Sequence, residues 1–295
     1  MILSYEEFRD EFTKCVFESA KAFSAVTAVE QRLLYKSNRG LMEALSLKMK
    51  ELNVAPVIYP FDAYEHYRSD EKTVSNLARE MVENAVSATL SGVSFDISDI
   101  CPETAPDHLY LQILNGERNK SLAESTAHLT FYDLIAVPRW RIDEGSILCS
   151  HDFQREFLGF SDEEILNIAL ENTLKCDFSI RGLTEYLCDL SEVDMPRFEE
   201  RMFLVLGDGF VSGAMAVFSR KMLEKICIAV EDEAFFIIPS SVSEIIAVPE
   251  WAVYEPGDLQ KICREVNRTV VDSDDFLSDN IYRYESSTGL LTLLS

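Results

Sequence analysis

The segment that decides the fold is residues 202–218, which read MFLVLGDGFVSGAMAVF. Two apolar runs flank Gly207-Asp208-Gly209, and an Asp-Gly pair between apolar runs is a strong β-hairpin signal. We therefore expect strands at 202–206 and 211–218 with a tight turn between them. The glycines superficially resemble a phosphate-binding loop, but the third, Gly213, falls one place late. A strand is also expected after them, where a phosphate site needs a helix.

Further strands are expected on both sides of this hairpin. Short apolar or alternating runs bounded by turn residues predict them at 109–114, 130–137, 146–149, 235–238, 244–248, 281–284 and 290–293. The last two are expected to pair as a closing hairpin. Helices are expected between the strands, so the chain is predicted to be an α+β protein with helices packed on one face of antiparallel sheets. A weak repeat of ββα units, over 130–175 and 202–230, fits the same order.

Helix starts are marked by two capping boxes, in which Ser4 and Ser161 are each followed three residues later by a Glu. Apolar residues at helical spacing predict another helix at 74–86, whereas residues 26–55 fit either short strands or a helix. A cluster of Gly and Pro near residue 105 suggests a domain boundary. We therefore expect an N-terminal helical or mixed region at 1–105 and an α+β domain at 106–295, with one continuous domain as the alternative.

The composition excludes several classes of protein. The 295 residues include 51 Asp and Glu against 27 Lys and Arg, a formal net charge of −24. Such a chain repels phosphate backbones, so we expect no direct nucleic-acid binding. No apolar run approaches the roughly 20 residues of a membrane-spanning helix, and no secretory signal is apparent, so we expect no membrane association. The seven cysteines form no C-x-x-C pair, which is typical of reduced thiols in a cytoplasmic protein.

The weak candidates for catalysis are Cys149, His151, His128 and Asp133. A strand through Cys149 and His151 would place both side chains on one face, as a Cys–His nucleophile pair requires, but a half-buried Cys at a strand end beside a surface His is the favoured interpretation. His128 and Asp133 would lie on opposite faces of a strand. Ser240 lacks the G-x-S-x-G context of a serine hydrolase. The four histidines lack metal-ligand spacing, so we predict no metal site and no cofactor.

The candidate binding residues lie in two segments. Glu117, Arg118 and Asn119, followed by Lys120, form a dense mixed-charge cluster that could bind an anion or pair internally. Near the end of the chain the candidates are Arg268, Tyr282 and Arg283. We expect nearby carboxylates such as Glu265 or Asp279 to hold the two arginines, and we expect the Tyr282 hydroxyl to lie in water at a core edge.

Several segments together resemble a known family. They are residues 55–59, 115–120 with His128, 157–164, 238–241, 266–269, 277–279 and 282–284, which read APVIY, NGERNK, FLGFSDEE, IPSS, VNRT, LSD and YRY. In this order they are similar to a bacterial domain-of-unknown-function family, number 5688, from gut anaerobes. The resemblance covers the chain from about residue 50 onward. It implies a complete bacterial protein and supplies no activity, cofactor or catalytic residue.

The charge distribution suggests a function. The net charge is +1 over residues 1–50 but −9 over residues 151–200. An acidic surface can steer a basic partner, so we expect a non-enzymatic binding or adaptor protein that acts on another protein with a basic surface. An inhibitor or immunity-like protein, with charge that imitates a nucleic acid, is one specific form, although the favoured interpretation of the charge itself is a well-solvated surface. The alternative is a small-molecule hydrolase with a Cys/His or metal-assisted site.

Overall fold

The computed structural model describes residues 2–69, 72–92, 97–142, 145–191, 200–207 and 209–294. The chain divides into two compact units: unit 1 is Met1–Lys36, Gly40–Ile100 and Ile142–Ser146, and unit 2 is Ser37–Arg39, Cys101–Arg141 and Ile147–Ser295. Helices accompany sheets whose paired strands are antiparallel, which confirms the α+β class. The domain boundary expected at residue 105 stays a prediction.

Unit 1 combines three helices with a small sheet. Its elements are α1 (Tyr5–Ala20), β1 (Val26–Lys36), β2 (Gly40–Met49), β3 (Val57–Ile58), α2 (Pro60–Ser69) and α3 (Val74–Gly92). The sheet has the order β1-β2-β3, so the ambiguous segment 26–55 forms strands. The chain reverses tightly between β1 and β2 because Asn38 and Gly40 adopt positive φ angles of 62° and 72°, which Asn and Gly tolerate.

The core of unit 1 lies between α1, α3 and the sheet. The capping box at Ser4 is confirmed, and it starts α1 so that one apolar stripe of the helix is buried. The buried side chains include Phe8, Phe12 and Val16 of α1, Leu77 and Val82 of α3, and Leu45 and Leu47 of β2. Helix α1 packs on Leu45 and Leu47 of β2, so it covers one face of the sheet that β1 and β2 form.

The first sheet of the second half contains β4 (Leu109–Asn115), β5 (Leu129–Phe131), β6 (Leu134–Ile142) and β7 (Gly145–Leu148). The order is β4-β6-β5, with β7 also paired to β6. Short helices α4 (Ala105–His108) and α5 (Lys120–Ala123) flank β4. The single strand expected at 130–137 is wrong: Phe131 pairs with Leu134, and the chain turns at Tyr132, whose φ is 52°.

The second sheet of unit 2 has six strands. They are β8 (Ser179–Gly182), β9 (Phe203–Leu206), β10 (Ala234–Ile238), β11 (Glu244–Pro249), β12 (Tyr282–Glu285) and β13 (Leu290–Leu293), in the order β13-β12-β10-β11-β9-β8. The expected closing hairpin is confirmed as β12 and β13. The helices of this part are α6 (His151–Phe153), α7 (Asp162–Lys175), α8 (Leu183–Ser191), α9 (Arg220–Val230) and α10 (Pro256–Thr269).

The hairpin expected at 202–218 is wrong. Its first strand forms as β9, but β9 pairs with β8 and β11, and Gly213–Phe218 is a 3-10 helix. Asp208 lies outside the described residues. Residues 213–218 are apolar without alternation, and nearly all of them are buried. Ser212 starts the helix, because its Oγ accepts from the Ala214 N–H at 3.0 Å. The second ββα unit of the expected repeat therefore lacks its second strand.

Helix α7 lies beside β4, an edge strand of its sheet. The capping box at Ser161 is confirmed as its start. Asn172 Nδ2 donates to the Leu109 carbonyl at 2.9 Å, and Thr173 Oγ1 accepts from the Leu111 N–H at 2.8 Å. These side chains take the place of a neighbouring strand, which both protects the edge and fixes which face of α7 points outward.

Candidate functional sites

Cys149 and His151 do not share one strand face. β7 ends at Leu148, and His151 is the first residue of α6, so the strand predicted at 146–149 ends one residue early and does not carry both side chains. Cys149 is fully buried, and its Sγ points to the Ile147 carbonyl at 3.9 Å. Burial raises the pKa of the Cys149 thiol well above its ordinary value, which disfavours the nucleophilic thiolate.

The two candidate histidines have different surroundings. His151 Nε2 lies 3.5 Å from an Asp162 carboxylate oxygen, whereas His128 Nδ1 lies 3.2 Å from the Thr126 carbonyl. Ser240 Oγ contacts Glu244 Oε1 at 3.5 Å. Neither histidine is recorded in contact with the Cys149 thiol. A catalytic role for any of these residues stays a prediction.

Asp133, which is itself partly exposed, is the centre of a hydrogen-bond cluster in unit 2. Its two carboxylate oxygens accept from the Tyr282 hydroxyl and, at 2.6 Å, from the Ser278 hydroxyl. Both donor residues are completely buried, so the expectation that the Tyr282 hydroxyl lies in water is wrong. Burial, followed by the hydrogen bond to Asp133, raises the pKa of Tyr282 far above its usual range. The cluster joins the β5–β6 turn to β12, which is a structural role.

The mixed-charge cluster at 117–120 pairs largely within unit 2. Lys120 Nζ lies 2.6 Å from Glu117. The Arg118 guanidinium stacks on the Phe276 ring, 3.7 Å from its centroid, and burial lowers the pKa of Arg118. Asn119 is buried, and its Oδ1 accepts from the Asn38 N–H at 3.0 Å. These contacts hold loops together, and whether the cluster also binds a ligand stays a prediction.

The two late arginines are held by carboxylates, as expected. Arg268 pairs with Glu265 at 2.7 Å. Arg283 pairs with Glu250 at 2.8 Å, and its second partner is Glu285 rather than Asp279. The hydrogen bond to Glu250 is the main reason why the pKa of Arg283 is raised. Both guanidinium groups are therefore already engaged within the chain.

The exposed face of α7 carries unpaired acid. Residues 151–191, the described part of the most acidic segment, contain nine carboxylate side chains and three basic ones. Glu163 and Glu171 are exposed, about two helical turns apart. In the part of the chain that the structure describes, neither is recorded in an ion pair. This region is consistent with the charge expected from the sequence.

A groove in unit 1 was missed by the sequence reasoning. It has a volume of about 810 Å³ and runs between α1 and β1, with Phe17 and Leu33 among its apolar walls and Arg9 and Glu43 among its charged ones. The sequence contains a signal for it, since β1 and β2 flank an Asn-x-Gly turn, but residues 26–55 fit either strands or a helix on sequence alone. The groove lies against the outer strand of the small sheet.

A second, smaller pocket of about 390 Å³ lies in unit 2. His108 stacks in parallel on the buried Trp140, 5.1 Å between ring centroids, and its Nδ1 lies 2.9 Å from the Arg141 carbonyl. The Arg141 guanidinium lies over Phe210 and donates to the Asp107 carbonyl. The polar groups are thus largely occupied by one another. No sequence pattern predicts this pocket, because its residues are far apart in the chain.

In the described ranges, no group of three or more His, Cys, Asp or Glu side chains is placed to hold a metal ion. No helix in the same ranges is long and apolar enough to cross a membrane.

Fold and surface together define an acidic α+β protein with two compact units. The chain belongs to a family of unknown function (DUF5688), whose model matches residues 5–286. This confirms the resemblance and extends it through the first 50 residues. No curated protein and no solved structure matches the chain.

Proposed function

We propose that this protein is a non-enzymatic, cytoplasmic binding protein whose acidic surface holds a basic surface of another protein. The observation that carries the proposal is the exposed, unpaired acid of α7, which consists of Glu163 and Glu171. The net charge of −24 favours rapid encounter with a basic partner and opposes nucleic-acid binding. An inhibitor or immunity-like protein that imitates nucleic-acid charge is the specific form that we propose.

The structure of α7 supports this role. Asn172 and Thr173 anchor the opposite side of the helix to β4, and the Ser161 cap fixes its first turn. Glu163 and Glu171 are thus presented by a rigid element. A rigid charged face loses little conformational entropy when it binds, which favours complementary contacts over general ionic attraction.

The hydrolase alternative has no specific observation in its favour. The Cys149 thiol is buried, and its pKa is raised by burial. His151 and His128 contact Asp162 and the Thr126 carbonyl respectively. Asp133 is occupied by two buried hydroxyls.

The test is capture of partners from a bacterial lysate at low and high salt, with the double variant E163Q/E171Q as the perturbation. The matched control is E11Q/E83Q, which removes the same two charges from exposed positions on α1 and α3. We expect a stoichiometric basic protein at about 0.05 M salt. It should be lost at about 1 M salt, where the screening length falls to about 3 Å.

The two variants separate a specific surface from general charge. The proposal requires that E163Q/E171Q loses the partner at low salt while E11Q/E83Q keeps it. Equal loss in both variants would show that net charge alone attracts basic proteins. The absence of any partner at low salt would remove the proposal.

A further inference from the structure

Strand β1 leaves one long edge of the unit 1 sheet open. It spans eleven residues, Val26–Lys36, and among the described strands it pairs with β2 alone. Leu33 on this strand is 61% exposed. A sheet edge of this kind offers backbone N–H and C=O groups along its outer side, and such an edge readily pairs with another strand.

We propose that two copies of the chain associate through β1, antiparallel, about a two-fold axis at Gln31. Gln31 is the midpoint of Val26–Lys36, so an axis there pairs every residue of one strand with a residue of the other. The two three-stranded sheets then join into one sheet of six strands. In such a symmetric pair each contact occurs twice.

The charges of β1 are self-complementary in this arrangement. With the axis at Gln31, Glu30 lies directly opposite the partner's Arg32, and Arg32 lies opposite the partner's Glu30. Glu30 and Arg32 already attract each other within the strand, where Arg32 Nε donates to Glu30 Oε2 at 3.0 Å, and Lys48 lies 2.6 Å from the same carboxylate. Both side chains remain partly exposed, so they can reach across the strand edge. Opposite charges on directly facing residues stabilise strand pairing.

Neighbouring registers are worse. An axis moved by one residue, to Glu30 or to Arg32, places that residue opposite its own copy, so like charges face each other. An axis at Leu33 again opposes unlike charges, Glu30 and Lys36, but it pairs only residues 30–36 and places these charges at the two ends of the overlap. The axis at Gln31 gives the longest overlap and places the unlike charges of Glu30 and Arg32 beside the axis.

Backbone and side-chain packing agree with this register. When the two-fold axis passes through a residue, odd-numbered positions pair with odd ones and even-numbered positions with even ones. Only alternate residues of β1 direct their backbone N–H and C=O groups away from β2. In this register those residues of one strand therefore lie opposite the same residues of the other strand and can form hydrogen bonds with them. Leu33 would lie opposite the partner's Val29, which covers an exposed apolar side chain. The bulge between Val26 and Ala28 lies at the strand end and leaves the central seven positions, 28–34, regular.

The surroundings of β1 suit a second copy of so acidic a chain. Two molecules with a charge of −24 each repel each other over most of their surface. The groove between α1 and β1 is lined by three basic and three acidic side chains, and residues 1–50 have a net charge of +1. Approach along β1 therefore meets a segment of nearly balanced charge. The groove also offers room for side chains of the partner strand.

The experiment is sedimentation velocity on the full chain with charge-reversed variants. We expect the wild type to have twice the monomer mass of 33.5 kDa. In the E30R dimer two arginines lie opposite each other at both symmetric contacts, and in the R32E dimer two glutamates do. Each single variant should therefore raise the dissociation constant of the dimer at least about tenfold. The double variant E30R/R32E restores both attractions, and it should again dimerise. An equimolar mixture of E30R and R32E should form a heterodimer, because the two strands are then complementary.

The matched controls are E265R and R268E, which reverse the same residue types in an exposed ion pair on α10. They should leave the dimer unchanged. The mixing experiment also protects against misfolding, because a heterodimer requires both single variants to be folded. A dimer that K36E dissociates and R32E does not would show the register centred on Leu33 and overturn the proposed one.

Other outcomes also overturn the proposal. A wild type that stays at 33.5 kDa at tens of micromolar would show that β1 does not pair with itself. If E30R then lost a protein captured by the wild type, the edge would belong to a different protein. A dimer that survives both single charge reversals would place the contact elsewhere on the chain.

Discussion

Removal of the Asp133 carboxylate should destabilise unit 2 strongly. Asp133 accepts hydrogen bonds from the hydroxyls of Tyr282 and Ser278, and both of these residues are 0% exposed. In D133A two buried hydroxyls lose their acceptor, and each unsatisfied group costs about 1–3 kcal/mol. We therefore expect the free energy of unfolding to fall by about 2–5 kcal/mol.

A double-mutant cycle isolates the contact between Asp133 and Tyr282. Y282F alone removes one hydrogen bond to a charged group, which should cost about 1.5–3 kcal/mol. In D133A/Y282F the Tyr282 hydroxyl that would lack an acceptor is absent. The free energy of unfolding of the double variant should therefore be only slightly below that of D133A. The resulting coupling free energy should exceed about 1 kcal/mol. The control is Y254F, because the Tyr254 side chain is fully exposed.

The assay uses tryptophan fluorescence during urea unfolding. The chain has two tryptophans, Trp140 and Trp251, and both belong to unit 2. The signal therefore reports on the unit that contains the cluster, even if the two units unfold separately. Additive single effects, within about 0.5 kcal/mol, would show that the two residues do not act together and would refute the reasoning.

Three further predictions test local features of the structure. Cys149, Cys227 and Cys263 are buried, and burial raises the pKa of each thiol, to about 11 for Cys227 and Cys263. A thiol reagent read by mass spectrometry should label these three only on unfolding, and fast native labelling of any of them would contradict this. G213A should prevent unit 2 from folding, since a Cβ there would lie 2.0 Å from the Val205 carbonyl oxygen. The control G257A places a Cβ where nothing lies within 4 Å, and its circular dichroism spectrum should match that of the wild type. S161A removes the cap of α7 and should lower the free energy of unfolding by about 1 kcal/mol, and an unchanged urea midpoint would show that the cap contributes nothing.

Features that depend on neighbouring residues were predictable from the sequence. Both capping boxes use contacts within four residues, and the structure forms them at Ser4 and Ser161. The closing hairpin was predictable for the same reason, because Tyr282 and Leu293 pair across a short turn. The α+β class follows from such local patterns, since they determine the number and kind of elements rather than their arrangement.

The sequence-based predictions are wrong where contacts between residues far apart in the chain decide the local structure. Residues 213–218 read as a strand, but Gly213 packs closely on Val205, and its N–H bonds the Ser243 carbonyl at 2.8 Å. These contacts favour a 3-10 helix. The cluster around Asp133 was equally hidden, because Tyr282 lies 149 residues away in the chain. Sequence spacing carries no information about such pairs.

The uneven charge of the chain makes the two proposals mutually consistent. A protein that uses acidic charge to hold a basic partner is repelled by its own copies, and the repulsion is strongest near its most acidic surface. Self-association is then possible only where the local charge is balanced, and residues 1–50, with a net charge of +1, contain β1. The acid of 151–191 belongs to a different segment from β1, and a two-fold dimer carries it twice. Two linked acidic faces would bind a repetitive or dimeric basic partner with higher avidity than one, without any new contact.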